Sequence, residues 1–457
     1  MPPATPSPSA ALLATEGPYL IYAKYLDGKL VITLSDADGR GQSVISLPNG
    51  AWTVSLEATT SLDGRWLAYY TGSAGQCFAE KQTGPFDLAL NLMDLSSGRT
   101  RLLTHLLSAN FPDNFRAAAD LLAARGLTPE QGADPLILHD ALACGIGSLA
   151  WSPDGRYLAF AGQMDGLSSD VYVFDIQAET IRRLTDGIEQ IQSIAWSPDG
   201  KWILHGSANF AGEGAEIHYH AAAVDGSIAK TLPSSVEHIR EQIAPSSFLV
   251  SDGREGIGSY NLRRIDIESG VVTTLWETAF RSTAIDREHH LLAIAGYEAL
   301  RQDTHPALFF VDLNSGDKRK IRDEISGVRF IGGQKKRFIA TEDDTFKTFF
   351  VTLDGLMAET DIAVSAETTS SPSFQYIAVP DRYLHIYTTE AAFVREIKPR
   401  TAGDSVDSVI WRPDSSGLFF VMGSDLYAAD LLEGEAYRVD GDLPKSGRLN
   451  YTWATGW

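Results

Sequence analysis

The chain has 457 residues, enough for one large domain or up to about three, and 44% hydrophobic with 21% charged residues is the composition of a folded globular protein. Lys plus Arg number 38 against 59 Asp plus Glu, a formal charge of -21 that repels phosphate backbones and anionic lipid surfaces and argues against a nucleic-acid partner. No run of about 18 apolar residues occurs, and the N-terminus lacks a charged region followed by an apolar stretch, so neither a membrane span nor an intact signal peptide is read.

Residues 1–16 carry Pro2, Pro3, Pro6 and Pro8 among Ser, Thr and Ala, which cannot pack, and they read as a disordered linker. Residues 19–47 then supply three strands, beginning at Tyr19, Leu30 and Ser43, with no innermost strand before them. A second unit keeps the turn Ser61-Leu-Asp-Gly and a strand from Trp66, with a further strand at Leu90–Asp94. Residues 106–146 break the pattern. They read as a mainly helical insertion, with Asp113 capping a helix over 114–125 that puts Phe115, Ala118, Ala119 and Leu122 on one face and stops at Gly126.

The repeat is clearest next. Ser148-Leu-Ala-Trp-Ser-Pro-Asp-Gly-Arg-Tyr aligns without a gap on Ser193-Ile-Ala-Trp-Ser-Pro-Asp-Gly-Lys-Trp, and Trp151 and Trp196 stand 45 residues apart, the spacing of propeller blades. Each unit makes a hairpin, since Pro153 and Gly155 suit the turn, and a second strand pair follows at Val171–Ile176 and Ile181–Thr185. Third strands ending in Asp or Thr before a turn recur near Asp266, Asp312 and Thr352, a degenerate unit spans 368–399, and Trp411-Arg-Pro-Asp opens another good copy. Trp453 follows Trp411 by 42 residues, so the last strand should complete the first blade and remove its unpaired edge. The expected fold is all-β: a β-propeller over residues 17–457, of four-stranded blades, nine by repeat count with eight as the alternative.

The Trp-Ser-Pro-Asp-Gly units at 151 and 196, and the Trp-Arg-Pro-Asp unit at 411, resemble the TolB-type, WD40-like β-propeller repeats common in bacterial extracytoplasmic proteins. The resemblance implies a propeller and location in the periplasm or at the cell surface, with the signal or lipid-anchor segment outside this chain. It specifies fold well and activity hardly at all, because relatives include scaffolds, the gating propellers of prolyl-oligopeptidase-like enzymes and polysaccharide lyases. No Gly-x-Ser-x-Gly elbow is present, so peptidase activity is not carried over.

The functional expectation is a non-catalytic binding or scaffolding module that takes a protein, glycan or peptide at one mouth of the propeller, with no cofactor and with no catalytic residue assigned. The alternative is a metal-dependent, lyase-like enzyme. Binding residues are placed on the insertion (Phe115, Arg116) and on two loops joining second and third strands, at Gln163, Asp165 and Ser168 and at Asn209 and Glu213. His218 and His220, two apart on one strand and so on one face, are weak metal candidates, with His205 and His238 in neighbouring segments. The alternative for them is a half-buried position between blades. Cys77 and Cys144 flank the insertion and are plausible disulfide partners. The linker and the repeat resemblance favour an oxidising compartment, while burial as two small apolar residues is the other reading.

Overall fold

The computed structural model describes residues 17–27, 29–53, 55–72, 88–108, 148–165, 168–187, 189–209, 216–232, 238–252, 261–298, 305–365, 367–398, 405–443 and 449–454. Within them the chain forms nine four-stranded antiparallel sheets, and the fold is a β-propeller of nine blades. It divides into two compact units: Met1–Asp36, Gly41–Ser234 and Asn450–Trp457 make the first, Ala37–Arg40 and Ser235–Leu449 the second.

The first unit holds blades one to four. Blade one joins Tyr19–Leu26, Lys29–Asp36 and Gln42–Ser46 to the last strand of the chain, Tyr451–Ala454, which pairs with Tyr19–Leu26 through Leu20 opposite Trp453. The expected closure is therefore present. Blade two comprises Ala51–Trp52, Trp66–Gly72, Leu88–Asp94 and Arg99–His105; its first strand is only two residues, followed by a helical turn at Leu56–Thr59 that sequence patterning did not identify. Blade three comprises Leu149–Trp151, Tyr157–Gly162, Asp170–Asp175 and Thr180–Arg183; blade four comprises Gln190–Trp196, Trp202–Asn209, Glu216–Ala223 and Ala229–Thr231. The second unit holds blades five to nine, whose first strands are His238–Ala244, Phe280–Asp286, Ile325–Phe330, Thr369–Ser370 and Val406–Trp411.

The core lies between consecutive blades because strand residues alternate faces. In blade two, Leu67 and Tyr69 pack toward blade one, whereas Ala68 and Tyr70 pack toward blade three. In blade three, Leu158 and Phe160 complete that second core while Ala159 and Ala161 meet Ile191, Trp196 and Ile203 of blade four.

The repeat motif fixes the first turn of each hairpin. Ser152 Oγ donates to Asp154 Oδ1 at 2.5 Å and accepts Tyr157 N at 2.8 Å, while Asp154 Oδ1 accepts Arg156 N at 3.0 Å. Ser197 and Asp199 repeat the same three bonds at 2.7, 2.8 and 3.1 Å. Gly155 and Gly200 stand at φ +69° and +67°, a left-handed backbone that only glycine adopts without strain. The motif tryptophan then ties the blade to its predecessor. Trp151 Nε1 donates to Thr59 O at 2.9 Å, Trp196 Nε1 to Ala150 O at 2.8 Å and Trp411 Nε1 to Thr369 O at 3.4 Å. Tyr157 and Tyr376, both opening second strands, stack on Trp196 and Trp411 respectively.

Candidate functional site

In an up-and-down blade, the loop between second and third strands and the connection to the next blade emerge at the same end. At that end of blades two to four the chain leaving blade two runs beside the loop of blade three. Leu107 makes a parallel bridge to Gln163, Gln163 N donates to Leu106 O at 2.7 Å, and Ser108 N donates to Gln163 O at 2.8 Å. The start of the insertion is thus held against one of the loops singled out in the sequence.

Gln163 itself is buried, 1% exposed, and its side-chain amide donates to Gln190 Oε1 at 2.9 Å. The same oxygen accepts Ser169 N at 2.9 Å, and Ser169 Oγ accepts Ile191 N at 2.6 Å, which locks the loop of blade three to the first strand of blade four. Gln163 therefore supports the surface from beneath. Asp165 is exposed and accepts from the Tyr172 hydroxyl at 2.9 Å; burial first, and then this carboxylate, push the Tyr172 pKa up. Ser168 is half-buried. Asn209 ends its strand opposite Glu216. Phe115, Arg116, Glu213, Cys77 and Cys144, like the helix expected within 106–146, lie outside the described residues.

Asp170, not anticipated from the sequence, holds the connection to blade four. It is buried and accepts from Arg183 Nη2 at 2.6 Å, Thr185 Oγ1 at 3.0 Å and Gly187 N at 3.2 Å. Burial raises its pKa, partly offset by these donors.

His218 and His220 share a face as expected, but they do not stand alone. Across the strand pair Ser207 lies opposite His218, and His205 opposite His220. Glu189, at the end of the connection, closes over them: His218 Nδ1 is 3.0 Å from Oε1, His220 Nε2 is 3.5 Å from Oε2, and the Ser207 hydroxyl donates to Oε2. Burial opposes ionisation of Glu189, yet these partners hold its pKa below the usual carboxylate range. The His205 and His220 rings stack at 5.1 Å, and His220 Nδ1 lies 3.2 Å from Thr231 Oγ1. His205 is buried and held neutral, its pKa lowered to about 3 by burial and then by His220. His238 opens the first strand of blade five, in the other unit. Ser207 bonds to the carboxylate rather than to an imidazole. The His218/His220 pair and the nearby His205 were legible in the sequence; Glu189 joins them through the fold.

In the second unit, a cavity of about 780 Å³ runs along the first strands of blades six to eight, with Ser282, Thr283, Ser326, Thr341 and Thr369 in its wall and the Glu241–Arg287 ion pair at one side. Among the described residues, two groups have ligand atoms within 4.8 Å of one another: Asp286 with Glu288 and His289, and His305 with Asp343 and Asp344. Each is already engaged by a guanidinium, Arg337 on Asp286 and Arg281 on Asp343.

A family model described as "WD domain, G-beta repeat" matches residues 137–175 and 180–210, which cover most of blade three and the first two strands of blade four. The fold is a β-propeller, and the WD-repeat match falls on blades three and four of it. No curated protein matches the sequence of this propeller. Among solved structures it is similar to a eukaryotic initiation factor, at 13% identity over 96% of this chain and 97% of that one with a TM-score of 0.52, a likeness of fold. TolB from Acinetobacter baumannii matches at 17% identity over 70% of this chain and 67% of that one, TM-score 0.32. Dipeptidyl peptidase 4 from Porphyromonas gingivalis matches at 10% identity over 91% of the propeller, which spans 65% of that peptidase, with a TM-score of 0.48. Among the described residues no helix is long and apolar enough to cross a membrane.

Proposed function

We propose that this propeller is a non-catalytic binding or scaffolding module that acts outside the cytoplasmic membrane and takes a protein, glycan or peptide partner at the loop end of blades three and four. The observation that carries the reading is the bridge between Leu107 and Gln163, which starts the insertion against the Gln163–Ser169 loop. That loop is anchored below by Gln190, while Asp165 remains exposed above. A rigid support under exposed loops is the usual way a repeat fold presents a recognition surface. WD40-like and TolB-like propellers commonly bind proteins, in keeping with this arrangement.

The test is capture of a partner from an envelope extract of the source cells by the full chain and by a form lacking residues 109–143. Loss of capture with the β circular-dichroism signal intact is expected; retained capture would move the site off the insertion. A Cys77–Cys144 bridge fits the same compartment, and non-reducing peptide mapping of protein from that compartment should find the two residues in one linked peptide pair.

A further inference from the structure

We infer that the cavity along the first strands of blades six to eight is a second binding site, which takes a short uncharged oligosaccharide. Its volume of about 780 Å³ lies within the range of about 300–1,000 Å³ of pockets that hold small organic ligands. Among the described residues of its wall, eight are Ser or Thr and three are charged. Glu241 and Arg287 pair with each other, and Arg329 is the third. Such a wall is rich in hydroxyls, each able to donate and to accept, and poor in charge for an ionic ligand to meet.

The eight hydroxyls divide by what they do. Ser282 Oγ accepts Val328 N at 2.8 Å, Thr368 Oγ1 accepts Ser365 N at 3.0 Å and Ser365 Oγ accepts Glu367 N at 3.3 Å, so these three hold the chain. Those of Thr283, Ser326, Thr341, Thr369 and Ser370 make no hydrogen bond to another described residue, although all five residues are half-buried. Five unclaimed hydroxyls from three blades around one cavity are a preformed set of donors and acceptors. Phe346 lines the same cavity and is 78% exposed. The C–H face of a pyranose packs on such a ring while its hydroxyls reach the Ser and Thr groups.

An extended peptide suits the space less well. Each first strand ends its sheet, and residues 326–331 line the cavity consecutively, so blade seven presents an unpaired edge there rather than one face. A ladder along that edge is interrupted, because the Val328 N–H is already taken by Ser282 and bulges lie between Ile325 and Gly327 and between Phe280 and Ser282. Recognition therefore falls to side chains. Gly327 keeps the space open: a Cβ there would lie 3.5 Å from Thr341 Cβ and 3.6 Å from Thr341 Oγ1, ordinary contacts that would cover one of the five hydroxyls. The site does not rest on partner capture at the loop end of blades three and four.

The full chain is titrated by calorimetry with maltotriose, cellotriose and tri-N-acetylchitotriose, and with trigalacturonate as the charged counterpart. At least one uncharged trisaccharide is expected to bind, one per chain and more tightly than trigalacturonate. Ser326→Ala combined with Thr341→Val should weaken that binding about tenfold or more, Phe346→Ala should weaken it several-fold, and Leu432→Ala, at an exposed turn of blade nine, should leave it unchanged. A chain that binds none of the three, or binds trigalacturonate most tightly, overturns the site. So does undiminished binding in the double variant or in Phe346→Ala, or an equal loss in Leu432→Ala. Should the double variant not fold, Gly327→Ala decides, since its methyl is accommodated without a clash: weaker binding is expected, and unchanged binding overturns the proposal.

Discussion

Arg337 and Asp286 meet in a two-pronged ion pair, Nε to Oδ2 at 2.7 Å and Nη2 to Oδ1 at 2.9 Å, which joins the second strand of blade seven to the end of the first strand of blade six. Their side chains are 8% and 0% exposed. The guanidinium also reaches Glu288 and the carbonyls of Gly332 and Gly333, so its remaining donors are satisfied.

Removing one partner of such a pair leaves the other buried and uncompensated, and Asp286→Ala should cost about 3–5 kcal/mol. Burial favours the neutral acid, but Arg337, and then His289, outweigh it and hold the Asp286 pKa below the usual carboxylate range. A depressed folded pKa means that the contribution is complete above the unfolded value of about 3.9 and is lost as pH falls through the folded one. Urea unfolding should therefore show the wild-type chain losing more stability than Asp286→Asn between pH 5 and the acid limit of its folded state. Parallel losses in the two chains would remove the pair as the acid-sensitive element.

Gly64 offers a test of how the last strand seats. It occupies the turn of blade two at φ +75°, and a Cβ there would come within 2.0 Å of the Ala454 Cβ. Gly64→Ala should destabilise by about 1–3 kcal/mol, from overpacking as well as the backbone. Deletion of residues 450–457 strips the partners of Leu20 and Ile21 and should lower Tm further. A deletion chain that melts at the wild-type temperature would contradict the pairing.

The motif tryptophans should differ in a graded way. Trp196→Phe keeps the stacked ring but leaves Ala150 O without its 2.8 Å donor, a loss of about 1–2 kcal/mol. At Trp411 the corresponding bond is 3.4 Å, so Trp411→Phe should cost less. Equal losses, measured by urea unfolding, would show that ring size rather than the indole donor sets the effect.

The turn grammar made most blades readable, since Ser152, Asp154 and Gly155 act within a few residues of one another and leave a local signature. Trp453 was legible for the same reason, one period after Trp411. The first strand of blade two was not: two residues carry no alternation, and the helical turn after Trp52 replaces the usual approach to the hairpin. Side chains that act between blades were harder still. Asp286 and Arg337 are 51 residues apart, and Glu189 and His218 are 29 apart, separations with no period to betray them. Gln163 was assigned from its loop to a recognition surface, yet the amide turns inward to Gln190, a direction that loop position alone does not encode.

The pairing of Tyr19–Leu26 with Tyr451–Ala454 also sets an order of events during synthesis. Once the third strand of blade one ends at Ser46, 404 further residues (47–450) must be made before Tyr451 appears. At translation rates of about 5–20 residues per second, that interval is roughly 20–80 s. For that time the inner edge of Tyr19–Leu26, with Leu20, Ile21 and Tyr22 along it, has no native neighbour and is open to any extended segment nearby. The nascent chain therefore carries a vacant strand position from its first blade to its last, and it must be kept from foreign strands until its own C-terminal segment arrives.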